Sequence, residues 1–219
     1  MNIQRSYSSP VRQEAAVATE RRILTAAEHL FLEQGYPATT LAMIAATAAV
    51  SKQTVYNSCG SKAQLLKRLY DVRLVGDDAP VPLAQRPEIQ RMMALTDPRA
   101  LLDSYTALGT ALLERLGPLL VVIVAGAAAG DADLVALLET TDAERLVGTT
   151  GIARRLAELD ALRRGVTTEH ARDIIWMMNG LPSWDMLVRR RHWSMRDYQR
   201  WLSRSLADML LAPDAELPD

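Results

Sequence analysis

The sequence predicts an all-α protein, with an amino-terminal three-helix module of the helix-turn-helix kind followed by a larger helical body. Three observations carry this. Residues 39–62, TTLAMIAATAAVSKQTVYNSCGSK, hold two short helical patterns separated by a tight break. Apolar residues beyond them recur at helical spacing, and no segment alternates as a strand does. Charge is also segregated: residues 1–75 carry nine Lys/Arg against five Asp/Glu, whereas the remainder carries sixteen against twenty-one. A basic amino-terminal module on an acidic body fits nucleic-acid contact at one end only, although the whole chain has a net charge of −1.

At 219 residues with 49% apolar content, the chain can bury a sizeable core in one or two domains. The single Cys59 excludes an internal disulfide and a multi-cysteine metal site. Residues 1–20 are polar and charged, unlike a signal peptide. The longest apolar run, 118–130, is too short and too rich in Ala and Gly to predict a membrane span. The expectation is a cytoplasmic protein without a membrane partner.

In chain order, residues 1–17 lack apolar periodicity and read as a flexible arm, on which Arg5 and Arg12 could touch phosphate or the minor groove. A first helix spans about Thr19 to Gln34, burying Ile23, Leu24, Ala27, Leu30 and Phe31, and Gly35 stops it. Residues 40–48 form the second helix, with Leu41, Ile44 and Ala45 inward. Ser51 caps a short third helix from Lys52 to about Tyr56. Ser61 and Gln64 form a capping box that opens the fourth, whose apolar side is Leu65, Leu66, Leu69 and Tyr70. Residues 76–98, with Pro80, Pro82, Pro87 and Pro98, read as a linker.

The body follows as helices. Asp97-Pro98 opens one through about Leu116, and residues 118–129, apolar nearly all round, take a central place. Residues 133–162 are periodic, with a break or kink expected around Gly148–Gly151. Thr167 caps the next helix, which Pro182 must kink or end near Leu181. Ser194 and Asp197 open the last helix, with Tyr198, Trp201, Leu202, Ser205, Leu206 and Met209 as its stripe. The domain reading is an arm at 1–17, a DNA-binding domain at 18–62, a connecting helix at 61–76, a body at 77–212 and a tail at 213–219.

The third helix is pinned from behind by Val50 and Val55 and leaves donors outside, which suits insertion into a major groove. Lys52 and Gln53 are the base-edge candidates. Gln matches adenine N6/N7, and Lys matches guanine O6/N7. Thr40, Thr54, Tyr56 and Lys62 are candidates for phosphate, with Thr40 at a positive helix end. Ser51 and Asn57 complete the candidate DNA-contacting set. The bland alternative is a solvated polar face. For Cys59, a buried structural thiol stands against a redox switch.

Over residues 21–70, the segments LFLEQGY, TTLAMIA, VSKQTVY and GSKAQLL resemble the amino-terminal DNA-binding domain of TetR-type transcriptional regulators. Three positions depart from the family pattern: Ala49 where glycine is common, Ser58 where a histidine or aromatic is common, and Cys59 where phenylalanine packs. If position 49 has positive φ, its Cβ costs about 1 kcal/mol. The resemblance implies a carboxy-terminal domain for ligand binding and dimerisation, and an operator-binding homodimer closed by a four-helix bundle of the last two helices. Two-fold symmetry then predicts a pseudo-palindromic double-stranded operator.

Interface candidates are Ile175, Met178, Trp184, Leu187, Tyr198, Trp201, Leu202 and Met209. The resemblance also implies a small apolar or amphipathic effector, for which Met92, Met93, Tyr105, Trp176 and Met177 are pocket candidates, with plain core packing as the alternative. No cofactor or metal is expected. His29, His170 and His192 are far apart, and no Walker loop, GxGxxG or GxSxG is present, so the expectation is no enzyme. The function expected is a ligand-responsive transcriptional repressor. The alternatives are a constitutive DNA-binding repressor, or a helical ligand-binding or scaffold protein with a degenerate helix-turn-helix.

Overall fold

The amino-terminal module closes around the apolar stripe of its first helix. A computed structural model of the chain describes residues 10–76 and 83–213. Helix α1 (Pro10–Ala38) buries Ile23, Leu24, Ala27 and Phe31, while Leu30 is half-buried. Gly35 breaks it with φ 82° and ψ 165°, a conformation that only glycine adopts readily, as the expected stop requires. The start differs from expectation, because residues 10–17 are helical rather than a flexible arm. Pro10 suits a first turn, and the Glu-Ala-Ala run at 14–16 forms helix by propensity without an apolar face. Arg12 is therefore exposed on a helix, and Arg5, with residues 1–9, lies outside the described residues.

Helices α2 (Leu41–Thr47), α3 (Lys52–Cys59) and α4 (Lys62–Val75) pack on α1. Helix α3 runs three residues past its expected end, until Gly60 caps it at φ 73°. The capping box of α4 forms as predicted: Ser61 Oγ accepts from Gln64 N at 3.2 Å, and Gln64 Oε1 accepts from Ser61 N at 2.8 Å. Arg68 reaches Glu20 at 2.7 Å and Arg73 pairs with Glu28, which fixes α4 against α1.

The expected linker contains structure. A 3-10 turn (Leu83–Gln85) precedes α5 (Pro87–Met93), which starts on a proline that needs no N–H there and buries Met92. Pro80 and Pro82 fall in residues 77–82, outside those described.

Asp97 caps α6 (Pro98–Ala128), accepting from Arg99 N at 2.9 Å. The two helices expected on either side of Gly117 are one, which continues through Pro118. Burial of Leu113, Leu116, Leu119 and Ile123 on both sides of the proline outweighs the lost hydrogen bond. The apolar stretch is thereby longer than the run 118–130 alone. By length and composition α6 could cross a membrane, yet here it packs against α1, α4, α7 (Ala132–Glu158), α9 (Leu181–Trp184) and α10 (Met195–Leu210). Helix α7 runs unbroken through Gly148–Gly151, where a Cβ would meet nothing within 4 Å.

Helix α8 (Thr168–Met178) is capped by Thr167 as expected and ends two residues before α9, which holds Pro182 in its first turn. A π-helical turn (Asp185–Arg190) leads to α10, capped by Ser194. Among the described residues there is no strand, only an isolated bridge between Leu162 and Leu211.

Two expectations about the body need correction. Ile175, Tyr198 and Leu202 are 0% exposed, and Met178 and Trp184 are nearly so. They are core of one protomer and cannot meet a second copy. The inward stripe of α8 packs chiefly on α7, and those of α9 and α10 on α6, so helices of the same chain cover the faces expected at a partner. Leu187 and Trp201 are half-buried and Met209 is 47% exposed, so these three remain available. Met177, expected in a pocket, points outward at 61% exposure, between the buried Ile175 and Met178 of α8. Met92 is core, whereas Met93, Tyr105 and Trp176 are half-buried.

Candidate nucleic-acid interface

The candidate face begins at the joint between α1 and α2. Thr39 is fully buried, and its hydroxyl is 2.8 Å from Gly35 O and 3.2 Å from Leu30 O, the orphan carbonyls where α1 ends. Thr40 then caps α2, its Oγ1 accepting from Met43 N at 3.2 Å. Ile44 and Ala45 hold α2 on the core.

The turn that follows decides the aim of α3. Ala49 has φ 52°, Val50 N donates to Ala45 O at 3.0 Å, and Ala49 N donates to Ala46 O at 3.1 Å. This is the Schellman arrangement, in which a left-handed residue ends the helix. Glycine is the unstrained residue there, so the alanine departure carries a strain of about 1 kcal/mol without changing the geometry.

Ser51 Oγ accepts from Thr54 N at 3.0 Å and lies 2.8 Å from Thr54 Oγ1, so the cap and one candidate donor act together. Val55, fully buried, anchors α3 from behind. Lys52, Gln53, Tyr56 and Asn57 share the exposed side, Tyr56 at 59% exposure. Gln53 Nε2 donates to Asn57 Oδ1 at 2.7 Å, which lines up both amides one helical turn apart. Cys59 is half-buried against the core, and burial and Glu20 push its thiol pKa up, against the thiolate a redox switch needs.

Lys62 is placed differently from the other candidates. Its Nζ donates to Tyr36 O at 2.8 Å and Thr39 O at 3.1 Å, and it sits 3.9 Å from the Tyr36 ring centroid. It therefore clamps the α1–α2 joint, and two of its three N–H bonds are committed there. Burial lowers its pKa, while Asp131 and Asp133 from the α6–α7 turn act to raise it. The same burial and the same two carboxylates push Tyr36 to about 12. The body and the reading head thus meet at this joint, where Leu116, Leu119, Ile123 and Leu134 join the core of α1–α4.

One feature of the face escaped the sequence reading. An open groove of about 550 Å³ runs between α1 and the α2–α3 turn, lined by Arg21, Arg22, Thr25, His29 and Ala49 among others. The signal was present, since Arg21, Thr25 and His29 recur at i, i+4, i+8 on the polar side of α1.

The family comparison agrees with this geometry. Residues 23–69 match the family model described as bacterial regulatory proteins, tetR family. The amino-terminal segment 23–69 is thus similar to the domain that model describes. The described residues are all-α, with an amino-terminal helix-turn-helix domain and a helical body. No curated protein matches the sequence.

Among solved structures, the chain is similar over 90% of its length to NalD, the secondary repressor of the MexAB-OprM multidrug efflux pump in Pseudomonas aeruginosa. The match covers 98% of NalD with 23% identity and a TM-score of 0.69. It is also similar to SmeT, the repressor of the Stenotrophomonas maltophilia multidrug efflux pump SmeDEF. There 93% of this chain and 95% of SmeT are covered, at 19% identity and a TM-score of 0.66. A SmeT–triclosan complex matches at 20% identity over 92% of this chain and 95% of that one, with a TM-score of 0.68. At these identities the likeness is one of fold.

Proposed function

We propose that the protein is a ligand-responsive repressor that binds a pseudo-palindromic operator as a homodimer in the cytoplasm. The observation that carries this reading is the outward face of α3, where Lys52, Gln53, Tyr56 and Asn57 stand exposed on a helix capped by Ser51 and anchored by Val55. Lys52 and Gln53 read base edges, and Asn57 positions Gln53. Thr40, Ser51, Thr54, Tyr56 and the remaining N–H of Lys62 hold phosphate. In domain terms, 18–62 reads DNA, 61–76 connects, and 77–212 binds effector and partner.

The interface joins the exposed sides of the closing helices, with Leu187, Trp201 and Met209 kept from the sequence reading and Met186 and Trp193, both exposed, added to them. The two solved neighbours are repressors of multidrug efflux pumps and one holds triclosan, which supports a small, largely apolar effector. Effector release of DNA needs a ligand that prefers the state whose reading heads no longer match two successive major grooves.

The test is a fluorescence-anisotropy titration of operator DNA with and without members of an effector screen. The reading expects at least one neutral apolar compound to weaken DNA binding tenfold or more. Equal affinity across the screen would favour the second reading, a constitutive repressor. One observation favours that alternative: the Trp184 ring fills the notch at Gly117 so closely that a Cβ there would lie 2.5 Å away.

A further inference from the structure

Where α8 breaks at Asn179–Gly180, the body holds polar groups that its own packing does not satisfy. The Asn179 amide is wedged against α6 at Gly109, where a Cβ would lie 2.2 Å from Nδ2 and 2.5 Å from Oδ1. Only a glycine at 109 admits it. Burial pushes the Tyr105 hydroxyl pKa up, while the Asn179 side chain acts to lower it. Asn179 is 9% exposed, yet its Oδ1 has no hydrogen-bond partner in the protein, and neither has the buried Nε1 of Trp176 on the last turn of α8. Turning the amide over only exchanges an orphan acceptor for an orphan donor.

Arg145 of α7 does not fill the need. Its Nη2 donates to Trp176 O at 2.7 Å and to Asn179 O at 3.2 Å, and its Nη1 to Asp142 Oδ1 at 3.0 Å. The guanidinium lies 5.0 Å from the Trp176 ring centroid. It closes the carboxy-terminal end of α8, and Asp142 balances its charge.

A donor on the last turn of α8 and an acceptor on the residue that ends it, both buried without protein partners, ask for a complementary group. We propose that the Asn179–Trp176 break is the polar end of the effector site, and that it takes a neutral hydroxyl compound on an apolar body. A hydroxyl can donate to Asn179 Oδ1 or accept from Trp176 Nε1. A charged ligand is disfavoured, because Arg145 is already paired with Asp142 and an added charge would be buried uncompensated. This rests on the ligand-responsive reading. The site also has a mechanical connection to the reading head. Asn179 bears on α6 at Gly109, and Leu119, about 15 Å along the same helix at 1.5 Å per residue, lies in the core of α1–α4.

The experiment uses the full-length protein with phenol and benzyl alcohol as neutral probes, and benzoate and benzylamine as charged ones. Binding is read from the indole N–H signals of the four tryptophans by NMR and from the melting temperature. DNA affinity is read separately. The expected result is that a neutral probe raises the melting temperature and shifts the Trp176 indole signal, assigned by its loss in Trp176→Phe. In Trp176→Phe, which keeps the ring over Arg145, binding falls about tenfold, and Asn179→Leu abolishes it. If Asn179→Leu does not fold, Trp176→Phe alone decides. No neutral binding, unchanged binding in Trp176→Phe, or equal binding of benzoate overturns the assignment. Binding that leaves DNA affinity unchanged keeps the site and removes the ligand-responsive reading instead.

Discussion

Replacing Ala49 with glycine isolates the strain in the turn that aims α3. Ala49 is exposed, so its methyl contributes little packing, and its φ of 52° places a Cβ where L-residues are disfavoured. Removing that Cβ relieves about 1–2 kcal/mol. The greater freedom of glycine in the unfolded chain takes back about 0.5–1 kcal/mol. The expected net lies between about 0 and 1.5 kcal/mol of stabilisation, or up to roughly 6 °C in melting temperature for a chain of this size.

Ala143→Gly is the control. Ala143 is also exposed but lies inside α7, where the same substitution should destabilise by about 1 kcal/mol. Urea denaturation of both variants at one protein concentration gives the comparison. Opposite signs support the left-handed turn. A loss of stability in Ala49→Gly equal to that in Ala143→Gly would show that residue 49 is not held at positive φ in solution, and the described aim of α3 would fall with it.

Other outcomes follow from the same geometry. Ser51→Ala removes the cap of α3 and should cost about 1 kcal/mol of stability while weakening DNA binding, read by melting and anisotropy. Lys62→Met frees two carbonyls at the α1–α2 joint and should cost about 2 kcal/mol. If its third N–H meets phosphate, as proposed, the slope of log affinity against log salt also falls by about 1. Tyr36 and Tyr70 are held near 12 by burial, Tyr36 also by the carboxylates of Asp131 and Asp133 and Tyr70 chiefly with Glu144. Their folded pKa values lie above the unfolded value of 10, so their contribution to stability is complete below pH 10 and is lost as pH rises from 10 toward 12. Absorbance at 295 nm should show these two hydroxyls ionising late, with unfolding.

How much of this was legible follows from which forces act locally. Caps and turns were readable because Ser51, Ser61, Thr167 and Ser194 satisfy N–H groups within three residues of themselves. The helix through Pro118 was not, because propensity forbids it and only tertiary burial on both sides of the proline permits it. Ile175, Tyr198 and Leu202 turn out to be core because periodicity marks an apolar face without saying whether a helix of the same chain or a second copy covers it. The clamp role of Lys62 was invisible for a similar reason, since its carbonyl partners lie 26 and 23 residues away. The unpartnered Asn179 is visible only once Gly109 faces it.

The most direct measurement is binding of the purified protein to double-stranded DNA selected from a random pool, repeated across a salt series. The account predicts a selected site with two inverted halves, affinity that falls steeply with salt, relaxed sequence preference in Gln53→Ala, and uniformly weaker binding in Tyr56→Phe. A selection that yields no enriched sequence, or enriched sites without inverted symmetry, would contradict the proposed dimeric operator-binding regulator.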